Sequence, residues 1–134
     1  MANQLEKQIL EEGPRNAVVK LAGFLDTSDA SWVQAIQLSD FTNNDKQGPL
    51  RALRVDEVEF SVSAAIVVKL AWNSSLPQLI AVVYNSGEFC FEEAGGILPD
   101  RTRSGFDGAI NLSTHGFAAA AQGFTVLLEL VKLY

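Results

Sequence analysis

The stretch Phe124-Thr-Val-Leu-Leu-Glu-Leu-Val-Lys-Leu-Tyr134 decides the fold. In an extended chain Val126, Leu128 and Leu130 point one way, and Leu127 and Val131 the other, with Glu129 as the one interruption. A strand that is apolar on both faces belongs in the middle of a sheet or under a neighbouring subunit. Left unpaired it would template aggregation. The segment therefore specifies an all-β domain in which this strand is structural.

Working outward from it, the punctuation of the chain is that of β structure. Asn16 to Leu25 reads as a strand closed by Asp26-Thr-Ser-Asp29, and Trp32 to Leu38 as a second. Asp40 to Pro49 is a polar loop. Leu53 to Val62 alternates strictly, but its apolar set changes side near Glu57, which calls for a β-bulge or a passage between sheets. Ala65–Trp72, Gln78–Tyr84, Glu88–Phe91 and Asp107–Ser113 follow as strands, with Asn85-Ser-Gly87 read as a short hairpin turn. Gly116 to Gly123 fits either a helix or a loop. About eight strands with short turns and no helical crossovers predict a mainly antiparallel sandwich or barrel over residues 15–134. Residues 1–14 stand apart. Leu5 and Ile9 are spaced i, i+4 with Leu10 beside them, and Gly13-Pro14 ends the segment. It reads as a short docked helix or as an arm ordered by a neighbour, because so short a helix is not stable alone.

Composition narrows the function classes. The 134 residues carry a net charge of −6, with ten Lys and Arg scattered among sixteen acids. Nucleic-acid binding, which draws on a basic face, is not expected. An acidic surface suits a basic protein partner. No apolar run approaches the length of a membrane helix, and the first residues lack a signal-peptide core, so neither membrane nor export is expected.

The inventory of reactive groups is thin. His115 is the single histidine and reads as a turn residue rather than a general base. Cys90, flanked by Phe89 and Phe91, reads as a buried strand thiol. One cysteine and one histidine make no zinc site. Carboxylates gather at Asp56/Glu57/Glu59 and at Glu88/Glu92/Glu93. Adjacent strand residues such as Asp56 and Glu57 point to opposite faces, so solvated strand faces are expected instead of a glycosidase pair. Asn43-Asn-Asp45 lacks the ligand spacing of a calcium loop. Gly95-Gly96 precedes no helix and reads as a bend at positive φ. Trp72 lies on an apolar strand face and belongs to the core, and Trp32 follows a polar turn. No catalytic residue, cofactor or metal is expected.

Three sets of segments read together carry a family resemblance. They are Gly13–Leu21 with Leu25–Asp29, Leu53–Val62 with Lys69–Asn73, and Gly95-Gly96 leading to Gly108–Gly116 and Val126–Lys132. The chain resembles small β-sandwich structural proteins of tailed-bacteriophage virions, of the capsid cement or decoration type. The resemblance implies an antiparallel, jelly-roll-like β-sandwich on an assembled head, often a homotrimer, that stabilises the shell by bridging major capsid subunits. Under it, contacts are expected from the N-terminal arm (Leu5, Ile9, Leu10), from Arg15, and from the loops 40–49 and 94–106 (Arg101, Arg103). The alternatives are a tail or head–tail junction protein and a carbohydrate-binding sandwich using Trp32 or Tyr84. A hydrolase using Asp/Glu pairs is the least favoured reading.

Overall fold

A computed structural model describes residues 3–42, 48–118 and 122–134. Among these residues nine strands run in chain order: β1 Gln4–Glu12, β2 Asn16–Leu25, β3 Val33–Ile36, β4 Ala52–Val62, β5 Val67–Trp72, β6 Gln78–Val83, β7 Ser86–Cys90, β8 Ile110–His115 and β9 Gln122–Leu133. Among the described residues the only helical pieces are the 3-10 turns Leu38–Asp40 and Glu92–Ala94, so no helix is long enough to cross a membrane.

The strands form two antiparallel sheets, one ordered β1-β2-β9-β4-β7 and the other β3-β8-β5-β6. Strand β2 pairs with β9, β3 with β8, β4 with β7 and β5 with β6. The chain is thus a long ribbon doubled at the β5–β6 turn and wrapped, which is the strand order of a jelly roll. The expected architecture holds, with β1 added as a ninth strand outside β2. The inner faces meet in one core that includes Leu21, Val55, Leu70, Trp72, Ile110, Leu128 and Leu130. Trp72 is buried and donates its indole N–H to the Leu53 carbonyl at 3.2 Å.

Strand β9 sits third of five, as its two apolar faces require. Val126, Leu128 and Leu130 are buried in the core, and Val131 on the other phase is buried as well. The phase change in β4 is a bulge: the register with β9 slips between Val55 and Glu57. That keeps Val58 and Val62 in the core and turns Glu57 and Glu59 outward.

Four expectations need correction. Gln4–Glu12 is strand, not helix, and it lies along β2. A four-residue spacing such as Leu5/Ile9 satisfies period two as well as a helical turn, and the edge of β2 supplies backbone partners that an isolated helix of this length lacks. Asn85-Ser-Gly87 is not a hairpin turn, because β6 and β7 belong to different sheets. Asn85, at φ 57°, instead turns the chain across the sandwich, and its carbonyl accepts from Val62 N–H. Cys90 is exposed. Strand β7 is a sheet edge, and Cys90 lies on its outward phase opposite Glu57. His115 ends strand β8 and is exposed rather than standing in a turn.

Candidate functional site

The first candidate surface is the outer face of the five-stranded sheet. Bulge and register together place Glu57 and Glu59 of β4 beside Glu129 of β9 and Glu88 of β7. Carboxylate oxygens of Glu57, Glu59 and Glu88 lie within 4.8 Å of one another. The Glu57 carboxyl is pushed up to about 6, first by its hydrogen bond with Glu129 and further by the nearby negative charge. Glu88 is raised too, chiefly by its hydrogen bond with Glu57. The spacing of these groups would let them touch a cation, but calcium takes 6–8 oxygens, and here three side chains stand on an open sheet. Outward alternation adds Glu6 and Glu11 of β1, with Lys20 of β2 as a cation among them.

A second charged group is structural. Lys132 of β9 is buried and its Nζ lies 2.7 Å from Glu12 and 3.0 Å from the Thr42 carbonyl, with the Phe41 ring centroid at 5.8 Å. Hydrogen bonding from Lys132 holds the Glu12 carboxyl below its ordinary value. At the other end of β1, Asn3 Oδ1 accepts from the N–H groups of Asp26 (2.9 Å) and Thr27 (3.1 Å), and Asn3 Nδ2 donates to Ser28 O (2.8 Å). Residues 3–12 are fastened at both ends to their own domain, where a docked helix or an arm ordered by a neighbour was expected. Residues 1 and 2 of that segment lie outside the described residues.

The third surface is an apolar cleft of about 290 Å³ where the two sheets part between β1 and β3. It is lined by Leu5, Leu25, Ala30, Val33, Leu112 and Phe124. Gly23 makes it possible: a Cβ there would collide with the Phe124 ring, which lies over the glycine backbone. The fourth surface is the outer side of β6. Leu76, Leu79, Val82 and Tyr84 are 70%, 57%, 40% and 61% exposed within nine residues of chain.

The loop between β7 and β8 joins these regions to the body. Gly95 and Gly96 adopt φ 89° and 79°, the positive-φ bend expected of them. Gly96 rests on the Arg54–Asp56 pair (2.8 Å), and a Cβ there would lie 2.5 Å from Asp56 Oδ1. Further along, Gln78 binds the Asp100 backbone through both ends of its amide, at 2.9 and 2.8 Å.

The six residues expected to make contacts do not converge. Leu5 lines the cleft, Ile9 packs against the core, and Leu10 is the exposed residue where the β1 register slips. Arg15 is exposed in the β1–β2 turn, where its carbonyl accepts from Lys132 N–H. Arg101 and Arg103 are exposed on the loop beside β6, Arg103 lying 3.7 Å from Asp100. Asn43–Asp45, and most of the loop 40–49, lie outside the described residues. The acidic face was visible only as two separate runs of Glu, since the β4–β7–β9 register is what unites them. Neither the comparison with protein-family models nor that with curated proteins gives a match.

Proposed function

We propose that this protein is a structural protein of a tailed-phage virion, a capsid cement or decoration protein, homotrimeric and bound to major capsid subunits. The observation that supports this reading most is the strand order, which is shared by jelly-roll domains of viral capsids and of lectins. A fold hosts many functions, so the surfaces matter as much. They are a rigid body, one acidic face and two apolar features at the sandwich edges, an arrangement suited to bridging neighbouring subunits. Bridging stabilises a shell by mass action, because the protein binds the assembled state and not the free subunits. The carboxylates of Glu57, Glu59, Glu88 and Glu129 would face a basic surface on the shell, and binding would weaken with salt.

Cryo-electron microscopy of purified particles tests this. Density for the sandwich on the outside of the head supports it. Density in the tail or at the head–tail junction moves the protein there, and absence from particles overturns the reading. A carbohydrate-binding module is the second reading, favoured by the exposed ring of Tyr84. The neighbours of that ring on β6 are Val82 and Leu79 rather than sugar-binding polar groups, which counts against it. A glycan array with no ligand would end it.

A further inference from the structure

Two apolar features stand on opposite edges of the four-stranded sheet. At one edge, the turn from β5 to β6 lifts Leu76 into solvent with Leu79 close behind. The Gln78–Asp100 hydrogen bonds hold the loop bearing Leu98, Arg101 and Arg103 alongside. At the other edge, β3 borders the cleft lined by Leu5, Val33, Leu112 and Phe124. The turn that follows β2 brings Asp26 and Asp29 to the same end.

We propose that the Leu76–Leu79 knob of one copy seats in the β1–β3 cleft of a second copy, in a head-to-tail contact. Three observations carry this. The cleft, at about 290 Å³, is just below the roughly 300–1,000 Å³ of small-molecule pockets. It is a socket for side chains, and Leu76, at 70%, is the most exposed large apolar side chain among the described residues. The charges are complementary, with Arg101 beside the knob, next to the Arg103–Asp100 pair, and Asp29 in the lining of the socket. For a chain of net charge −6 self-contact is otherwise disfavoured, and neither feature lies on the acidic face. Finally, knob and socket occupy different edges of the same body, so each copy offers one of each. Such a heterologous contact closes a ring when the rotation between copies permits. The proposal concerns the protein alone and does not rest on the virion reading.

Light scattering over a concentration series tests it. The wild-type chain should exceed the 14.5 kDa of one copy, and L76D and V33D should each return to that mass. Leu76 is 70% exposed, so L76D should fold, and L5D provides a second socket variant should V33D not fold. Circular dichroism verifies folding in each case. Mixing L76D with a socket variant should produce a species of two copies, because one intact knob and one intact socket remain. A wild-type chain that stays at one-copy mass, a mixture that forms no pair, or association unchanged in L76D overturns the proposal. So does a monomeric chain whose cleft is instead filled by a capsid subunit.

Discussion

The two sheets of this sandwich present opposite chemistry to solvent. The outer side of the five-stranded sheet carries Glu57, Glu59, Glu88 and Glu129 side by side, with Glu6 and Glu11 further out on β1. The outer side of the four-stranded sheet presents Gln34, Asn111, His115, Val67, Lys69, Leu79 and Val82, with no carboxylate among them. Both faces belong to the same fold and rest on the same core, so folding does not explain the difference. A folded domain tolerates either face. Segregating them makes a body with chemically distinct sides, one dense in carboxylates and the other without them among these residues.

The largest expected effect breaks the fastening that makes the acidic sheet five strands wide. E12Q leaves the Lys132 ammonium buried without its carboxylate and should destabilise the fold by about 3–5 kcal/mol, read by urea denaturation. The Glu12 carboxyl is held below its ordinary 4.5. Its contribution is therefore complete above that pH and is lost as pH falls through the lowered value, so the gap between wild type and E12Q should narrow in acid. Loss confined to β1 would show as selective hydrogen exchange there.

G96A comes next. It forces a side chain into positive φ against Arg54 and Asp56 and should cost about 1–3 kcal/mol in thermal or chemical melts. E57Q sharpens the comparison itself. With the folded Glu57 value raised from 4.5 to about 6, the benefit of its proton is complete below about 4.5 and is lost as pH rises through about 6. E57Q should thus be more stable than wild type at neutral pH, with the advantage vanishing in acid. The effect is small because the site is open to solvent. The smallest effect belongs to the other face: Y84S should change stability by no more than about 0.5 kcal/mol in the same melts, because Tyr84 is largely exposed.

How much was legible depended on whether the deciding interaction was local. The central place of β9 followed from its two apolar faces, and the β4 bulge followed from a phase change visible at Glu57. The role of β1 was hidden because Leu5 and Ile9 satisfy either period, while the edge that receives them is a tertiary fact. Cys90 was misplaced because its aromatic neighbours suggest a core, and only the strand order shows β7 to be an edge. The acidic cluster drew its glutamates from three strands, and the cleft drew its lining from both sheets. Neither can be assembled without the register.

The most direct test of the proposed virion role is the thermal stability of matched phage shells that lack this protein, measured with and without the purified chain added. The account predicts that the chain binds the shells, raises their disruption temperature and does so less effectively at high salt. Shells that bind no protein and melt at an unchanged temperature would contradict it.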